Sequence, residues 1–291
     1  MSAPPVVAVV LNWNLPDDTV RCVRSLLAGR YDGLRVVVVD NGSSDNSLEV
    51  FRRELPTAEV VDTGANRFYA GGINVGIERA LALGAKWVLL LNNDTVASPD
   101  MVQQLVQAGQ NSTTALVAPS VYRLDAPERL WDAGTHWPRW RPLPRRARLE
   151  AGPYAVDMVT GCAMLLRAEA LRNSGVFDER YVMYYEDADL CTRLRRMGWG
   201  IVVAPAARLW HAVGKSAALA GARSAEQRAH YRLRFYRQHA RWPWRAGTLL
   251  AVSLHVLWQA LRLALRGERI LAHATLCGLR TGWREPIEGS A

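Results

Sequence analysis

The chain is poor in cysteine and lacks the patterns of an extracellular, fibrous or zinc-binding protein. Its 291 residues include 4 cysteines, and no two of them have metal-ligand spacing. We therefore expect neither a zinc site nor a disulfide framework, but buried thiols in a reducing compartment. The N-terminus has no basic segment ahead of an apolar run, so no secretory signal is expected. Internal repeats and low-complexity tracts are also missing.

Most of the chain has nearly equal numbers of basic and acidic residues. Residues 1–207 contain 22 Lys and Arg against 23 Asp and Glu, whereas residues 208–291 contain 14 against 4. The net charge of +9 therefore comes from the last part, which also holds the longest apolar stretch, 247–265. A basic and apolar segment favours an anionic membrane surface over nucleic acid as partner.

The apolar stretch 247–265 is interrupted by His255, Gln259 and Arg262. A helix that crosses a bilayer needs about 20 apolar residues with few charges. We therefore expect amphipathic helices that lie in the interface of the cytoplasmic leaflet, making the protein peripheral on the inner face of the cell membrane. The alternatives are a basic helix pair packed on the main domain and a helical hairpin that forms a homodimer.

Strands and helices alternate over the first 110 residues. Apolar runs at 6–11, 34–39 and 87–91, and a short strand pattern at 59–62, are each followed by a helical pattern. This order predicts an α/β fold, a mostly parallel sheet with helices on both faces. The alternation then breaks, and residues 125–153 have no clear periodicity. They combine aromatic and basic side chains, which suit sugars and phosphates, and we expect Trp137 and Trp140 to bind an acceptor.

Polar residues stand where the predicted strands end. Asn12 and Asn14 follow the first strand, Asp40 the second, and Asn92-Asn93-Asp94 the fourth. Ligands of open α/β sheets bind at this edge. Asp40 is suited to a ribose or base, unless it only caps the next helix. Asp94 is suited to a divalent cation that grips phosphate oxygens, unless it only forms a turn.

A glycine pair opens the helix after the third strand. Residues 66–76 include Asn66, Gly71, Gly72 and Asn74, and a Gly-Gly turn at a helix head lets backbone N–H groups approach a phosphate or a nucleobase. The Gly-x-Gly-x-x-Gly spacing of dinucleotide-binding proteins is missing.

Acids cluster at the start of a helix in the second half of the chain. Glu186, Asp187 and Asp189 follow Tyr185 and fall in the first turn. One or two acids there are ordinary partners of the helix dipole. Because three are present, one of them could act as a general base on a sugar hydroxyl. His211 follows the last predicted strand and is either structural or a metal ligand.

Together these segments resemble the inverting family 2 glycosyltransferases with a GT-A fold, particularly rhamnosyltransferase-like members. Six motifs in the family's order carry the resemblance: Val9 to Asn14, Val39 to Asp45, Asn66 to Gly76, Leu91 to Thr95, Glu186 to Leu190, and His211-x-x-Gly214-x-Ser216. The family usually has Gly at the position of Phe68 and Asn at that of Ile73.

The resemblance implies a role for each group of residues. Asp187 matches the catalytic base, with Glu186 as the competing candidate, and Asp94 with His211 matches the site of a divalent cation, Mn²⁺ or Mg²⁺. Acceptor binding is assigned to Trp137, Trp140 and Tyr185. The nucleotide-sugar site is assigned to Asn12, Asn14, Asp40, Asn66, Gly71, Gly72, Asn74, Asn92 and Asn93.

The resemblance also implies the reaction and its partners. We expect a catalytic domain at 1–216 and a membrane-associating segment at 217–291. The reaction would transfer a sugar, L-rhamnose from dTDP-rhamnose in the first instance, from a nucleoside diphosphate donor to a glycan or lipid-linked acceptor. Galactofuranosyl or other hexosyl transfer is the alternative. A nucleotidyltransferase would have a basic Gly-rich loop after the first strand, and a non-catalytic nucleotide-binding scaffold would have no use for the acids.

Overall fold

The computed structural model describes residues 3–137, 144–213, 215–240 and 243–286, with only the backbone of 215–220. The strands are β1 Val6–Asn12, β2 Leu34–Asp40, β3 Glu59–Asp62, β4 Trp87–Asn92, β5 Thr95–Ala97, β6 Thr114–Arg123, β7 Leu130–Asp132, β8 Thr135–His136, β9 Arg145–Arg146, β10 Tyr154–Ala155, β11 Ala163–Arg167 and β12 Gly200–His211. The helices are α1 Pro16–Leu27, α2 Ser47–Glu54, α3 Phe68–Ala82, α4 Met101–Ala108, α5 Ala168–Ser174, α6 Glu186–Arg196, α7 Lys215–His239, α8 Arg245–Leu265 and α9 Arg269–Arg284.

One mixed sheet organises the molecule. Its strands lie in the order β10-β12-β6-β11-β4-β1-β2-β3, with β5 on β12 and β7 on β6. The four strands of the N-terminal half, β4-β1-β2-β3, are parallel, while β11 enters antiparallel between β4 and β6. The α/β sheet predicted from the alternation is confirmed.

Helices cover both faces of the sheet because successive side chains of a buried strand point to opposite sides. Val6, Ala8 and Val10 of β1 pack with α1, α2 and α4 in one core. Val7 and Val9 pack with α3, α5 and α6 in the other. The unbroken apolar runs of the sequence are therefore explained by burial on both faces.

Helix α3 lies unusually close to the sheet. A Cβ atom on Gly76 would collide with the Val9 side chain, and one on Gly72 would come within 2.8 Å of Leu11 Cδ1. These two glycines are one helical turn apart and so face the same way. Their lack of side chains brings the first turn of α3 down to the carboxyl edge of β1.

The C-terminal helices pack against the sheet domain through α7. Tyr231, Phe235 and Tyr236 of α7 share a small core with Tyr181 and with Val252 of α8. Helix α9 lies on α7 at two further glycines, because a Cβ on Gly278 or Gly282 would meet the backbone of α7. The boundary predicted between residues 216 and 217 stays a prediction.

Helix α8 leaves one apolar side uncovered. Val252, Val256 and Ala260 are buried against its neighbours, whereas the following leucines are exposed by 44–79%: Leu250, Leu254, Leu257, Leu261 and Leu265. Within the described residues, α8 alone has the length and hydropathy of a membrane-crossing helix, with a mean hydropathy of 1.5 over its most apolar window and 17% of that window buried. Length and composition alone do not place α8 across a bilayer.

Candidate active site

The polar residues singled out in the sequence meet at one edge of the sheet. Asn12 pairs with Asp40 across β1 and β2, and Leu11 pairs with Asn92 across β1 and β4. On the other side of the site, His211 of β12 pairs with Thr95 of β5. The edge predicted for ligand binding is therefore lined by residues from both halves of the chain.

Asn12 and Asp40 form the floor of the pocket near β2. Both are fully buried, and the Asn12 amide donates to Asp40 Oδ1 at 2.8 Å. The side-chain oxygen of Asn12, Oδ1, accepts a bond from the Thr19 hydroxyl at 2.8 Å. Both polar atoms of the Asn12 side chain are therefore hydrogen-bonded within the protein. Ser43 donates to both carboxylate oxygens of Asp40. Asp40 therefore does not cap α2, whose first N–H is bonded by Asp45 instead.

Two amides hold the loops above this floor. The Asn14 side chain accepts a bond from the Ser44 N–H at 2.8 Å, and Asn14 itself has a left-handed backbone, with φ at +53°. Asn66 accepts a bond from the Phe68 N–H at 2.7 Å and one from the Asn41 amide. Both residues border the predicted nucleotide pocket, where they fix backbone.

The glycine pair does not form the expected turn. Helix α3 already begins at Phe68, so Gly71 and Gly72 lie inside its first turns and are buried. The prediction of a turn was wrong. Both glycines lie inside α3, and Gly72 allows the helix to pack closely on Leu11 rather than forming a sharp reversal. Asn74 is also buried and exchanges two hydrogen bonds with the Phe177 backbone, at 2.9 and 3.0 Å. Its amide thus anchors the segment that leads to the acids.

Asp94 and His211 lie side by side, and each has a buried side-chain atom without a hydrogen-bond partner. Asp94 follows β4, is 6% exposed, and its Oδ1 lies 3.1 Å from His211 Nε2. Asp94 Oδ1 is buried without a hydrogen-bond partner. Adjacent ligands on an octahedral ion at about 2.1 Å are roughly 3 Å apart, so the pair fits a small divalent cation. The described residues contain no group of three or more His, Cys, Asp or Glu that could hold a metal.

A chain of contacts connects this side of the site to the acids. The Tyr69 hydroxyl donates to Gly161 O at 3.0 Å and lies 3.4 Å from Asn92 Oδ1. The Gly161 N–H in turn donates to Asp187 Oδ2 at 2.9 Å. Asn93 lies on the other flank and donates to Thr19. Asn92 and Asp187, 95 positions apart in sequence, are therefore joined through two intermediates.

Glu186 and Asp187 have different environments in the first turn of α6. Glu186 is 7% exposed, and its Oε2 has no hydrogen-bond partner. Burial and the charge of Asp187 raise the pKa of Glu186 well above its usual value. Burial also raises the pKa of Asp187, but backbone N–H groups of Gly161 and Ala188 oppose that shift. The pair can therefore hold one proton on Glu186 and one negative charge on Asp187.

The third acid of the cluster is structural. Asp189 is fully buried, and its two oxygens lie 2.7 Å from His239 Nε2 and 2.7 Å from Arg193 Nε. Burial favours a higher pKa, but the hydrogen bond of His239 and the charge of Arg193 prevail and lower the pKa of Asp189. The contact between Asp189 and His239 fastens α6 to the end of α7.

The predicted acceptor residues fall on the α7 side of the acids. Trp137 stacks on Phe235 with ring centroids 5.1 Å apart, and Tyr185 packs on the same ring at 5.5 Å. Both are partly exposed. Trp140 lies outside the described residues. Both rings therefore pack on α7, and Tyr185 directly precedes the acid pair in sequence.

Several residues of the site were not anticipated. Asn41 bonds the backbone of Arg67 and Phe68, and its place inside the Val39 to Asp45 motif was the available signal. Trp131 packs against His211 with ring centroids 5.0 Å apart, and its neighbour Asp132 raises the pKa of Asp187. Neither had a sequence signal, because residues 125–153 have no periodicity.

Structural comparison agrees with this architecture. A mannosyltransferase from Pyrobaculum calidifontis, solved with GDP-Man and Mn²⁺, superposes with a TM-score of 0.62 at 17% identity, over 98% of this chain and 90% of that one. GalNAc-T7, solved with UDP, GalNAc and Mn²⁺, superposes with a TM-score of 0.60 at 14% identity, over 71% of this chain and 43% of that one. At these identities the likeness establishes the fold, which is the GT-A glycosyltransferase fold.

Sequence comparison gives closer relatives. An N-acetylglucosaminyl-diphospho-decaprenol L-rhamnosyltransferase of Mycobacterium tuberculosis is 29% identical over 235 residues, 71% of this chain and 75% of that protein. The galactofuranosyltransferase GlfT1 of Mycolicibacterium smegmatis is 32% identical over 194 residues, 60% of this chain and 63% of that protein. The family model described as glycosyltransferase like family 2 matches residues 4–246, and the chain therefore belongs to the family 2 glycosyltransferases.

Proposed function

We propose that the protein is an inverting, metal-dependent hexosyltransferase that moves L-rhamnose from dTDP-rhamnose to a hydroxyl of a lipid-linked precursor of a cell-surface glycan. Family membership supports the sugar transfer. The rhamnosyltransferase relative, named for a sugar on diphospho-decaprenol, supports the donor sugar and the acceptor class. Galactofuranosyl transfer is the second candidate, because GlfT1 is slightly more identical over a shorter span.

The observation that carries the proposal is the fixed carboxylate of Asp187. Its two oxygens accept bonds from the Gly161 N–H at 2.9 Å and the Ala188 N–H at 2.7 Å, and the residue is still partly open to the site. A base must be aimed at the proton that it takes. We assign Asp187 as the base that removes the acceptor hydroxyl proton as this oxygen attacks the anomeric carbon. Burial and the charge of Asp187 raise the pKa of Glu186, which favours the protonated form of that side chain beside the base.

The donor diphosphate is assigned to the other side of the pocket, at Asp94 and His211. A divalent cation bound there would neutralise the negative charge of the departing nucleoside diphosphate. The residues fit this role because Asp94 Oδ1 is buried without a partner and faces the imidazole. We assign Asp40 and the Asn14 and Asn66 loops to the nucleoside, since they border the β1 and β2 ends of the same edge.

Membrane attachment is part of the proposal. The uncovered leucines of α8 and the basic surplus of residues 208–291 suit a helix that lies in the surface of an anionic bilayer. Attachment to the inner face of the cell membrane would present the site to a lipid-linked acceptor, while the donor is taken from the cytoplasm. Self-association through the same leucines is the alternative use of this side.

Donor turnover by the purified protein tests the proposal. We expect dTDP-rhamnose, among a panel of nucleoside diphosphate sugars with Mn²⁺, to give the largest rise in melting temperature and slow release of dTDP in the absence of acceptor. A preference for UDP-galactofuranose would select the second candidate. Binding without any turnover of any donor, with or without a lipid-linked acceptor, would support a non-catalytic scaffold instead.

A further inference from the structure

A basic pocket lies between the C-terminal helices. Its volume is about 550 Å³, and residues of α7, α8 and α9 line it. Four arginines contribute to the lining: Arg228 and Arg232 from α7, Arg262 from α8, and Arg266, which directly follows α8. No Asp or Glu occurs among the lining residues, so we call it the arginine pocket.

The positive charge of the arginine pocket is not compensated by the protein. Within the described part of the chain, none of the four arginines forms an ion pair with a carboxylate. Arg232 bonds neutral groups instead, the Tyr185 hydroxyl at 2.8 Å and the Gln259 carbonyl at 2.9 Å. Arg228 lies over the Tyr184 ring and Arg262 over the Trp258 ring. Neutral and aromatic partners orient the guanidinium groups without neutralising them.

Such a pocket is suited to phosphate. A guanidinium stays charged at any physiological pH and presents a planar set of donors that matches phosphate oxygens. Four of them around one concavity repel each other unless an anion enters. The volume falls within the range of about 300–1,000 Å³ that is typical of small-molecule sites, which favours a discrete anionic group over a diffuse surface charge.

Two tyrosines connect arginines of the pocket to the acid pair. Tyr184 and Tyr185 contact Arg228 and Arg232 and directly precede Glu186 in sequence. Both tyrosines have a left-handed backbone, with φ at +75° and +68°, a conformation that is costly for a bulky residue and persists only where the surroundings enforce it. These two residues therefore turn their rings towards α7 while α6 begins at the site.

We propose that the arginine pocket binds the phosphate or diphosphate group of a lipid, so that the head of the lipid lies beside Asp187. The inference rests on the proposed function, because it assigns the anionic part of the lipid-linked acceptor. In a lipid diphosphate sugar the sugar is bonded to the diphosphate itself. A diphosphate held by Arg232 thus places the acceptor hydroxyls on the Tyr185 side, towards the base.

The surroundings of the arginine pocket provide a path for the lipid chain. Leu261 and Leu265, exposed by 57% and 79%, directly precede Arg262 and Arg266 in sequence. Trp258 lines the pocket and is itself half-exposed. An acyl or prenyl chain that leaves the pocket therefore meets apolar side chains rather than the charged surface.

Calorimetry with farnesyl diphosphate in the presence of a chelator tests the pocket without the donor-site cation. We expect binding by the unaltered protein, competition by inorganic pyrophosphate, and at least tenfold weaker binding by the double variant Arg262→Gln/Arg266→Gln. The matched control is Arg269→Gln/Arg280→Gln, which removes the same charge from exposed positions on α9 outside the pocket. This control should stay within twofold.

Flotation with vesicles distinguishes the two sources of the phosphate. A membrane headgroup would be the occupant if the unaltered protein binds phosphatidylglycerol vesicles but not farnesyl diphosphate. In that case the pocket variant should lose vesicle binding and the control variant should retain it. Equal losses in both variants, or no dependence on the pocket in either assay, would overturn the site. Binding of dTDP with Mn²⁺, measured on all three proteins, reports on the proposed function separately and should not change.

Discussion

The backbone N–H of Gly161 and the carboxylate of Asp187 are joined at 2.9 Å across 26 residues. This bond ties the segment before β11 to the first turn of α6, while the Ala188 N–H holds the other carboxylate oxygen at 2.7 Å. Two backbone donors favour the ionised carboxylate and fix its direction. The geometry separates Asp187 from its neighbour Glu186, which is buried with an oxygen that has no partner.

Replacing Asp187 with Asn should abolish transfer and preserve donor binding. The amide keeps one acceptor oxygen for the backbone but cannot take a proton, and loss of a general base costs roughly 10²–10⁴ in rate. Turnover would be followed by product chromatography and donor affinity by calorimetry. Transfer within a factor of a few of the unaltered enzyme would remove Asp187 from this role.

The matched variant is Glu186→Gln. Because burial and the charge of Asp187 raise the pKa of Glu186 well above its usual value, the protonated form is favoured at this position, and Gln resembles that form. We expect transfer within about a factor of ten of the unaltered enzyme at neutral pH, and a loss as large as that of Asp187→Asn would exchange the two roles.

The pH dependence of transfer should follow Asp187. Burial raises the pKa of Asp187, so the ionised base is lost as the pH falls through this raised value, above the ordinary Asp value of about 3.9. Because the charge of Asp132 contributes to the rise, Asp132→Asn should move the acid side of the kcat/KM profile to lower pH. Asp125→Asn, at an exposed ion pair, is the control; an identical shift in it would show that the effect is not local.

Patterns in the sequence were enough to predict the sheet and its ligand edge. Strands β1, β2 and β4 were recognisable because burial makes each a mostly apolar run, and the polar residue that ends each run lies at the common carboxyl edge. This logic located Asn12, Asp40 and Asp94. It could not tell that Asn12 is occupied by Asp40 and Thr19, since hydrogen-bond partners are set by tertiary packing.

The segment around α3 shows where sequence reasoning fails. Phe68 stands where the family usually has Gly, and its φ of +59° explains that preference, because a left-handed backbone is easiest for glycine. The Gly71-Gly72 pair instead lies within the helix, and Ile73 is fully buried in the core. Glycines that serve a turn and glycines that serve close packing look the same in sequence.

Replacing Asp94 with Ala should remove the metal dependence of nucleoside diphosphate binding. With the carboxylate gone, His211 is the remaining protein ligand of the proposed pair. Calorimetry with dTDP, in Mn²⁺ and in chelator, should give equal and weak affinities for the variant, but at least tenfold different affinities for the unaltered protein. Asp100→Ala, at an exposed ion pair with Arg30, is the control. Unchanged metal dependence in Asp94→Ala would place the cation elsewhere.

The 2.7 Å contact between Asp189 and His239 should matter for stability rather than for catalysis. Removing one partner of a buried pair costs about 3 kcal/mol, so His239→Ala should lower the free energy of unfolding by about that amount, as measured with urea. His136→Ala, at an exposed position, should change it by less than about 0.5 kcal/mol. A loss of similar size in both variants would contradict a special role for the pair.

Acid should weaken the same contact. The pKa of Asp189 is lowered in the folded state, so its contribution is fully present above the unfolded-state pKa of about 3.9 and is lost as the pH falls through the folded-state value. Urea unfolding of the unaltered protein between pH 6 and about pH 3 should therefore show a steeper loss than the His239→Ala variant does. Parallel curves would mean that the ionised pair adds nothing measurable.

The uncovered leucines of α8 give the last prediction. Leu254 and Leu261 are exposed by 56% and 57% on the side of the helix away from Val252 and Val256, so a charge at these positions should be tolerated in the folded protein. In a bilayer interface it would oppose insertion, because binding there depends on buried apolar area. We expect Leu254→Glu/Leu261→Glu to stay in the soluble fraction when floated with phosphatidylglycerol vesicles at low salt, while the unaltered protein floats. Leu149→Glu, which adds a single negative charge at an exposed leucine of the sheet domain, should float normally. If the double variant still floats but sediments as a smaller species than the unaltered protein, these leucines form a contact between two copies of the chain instead.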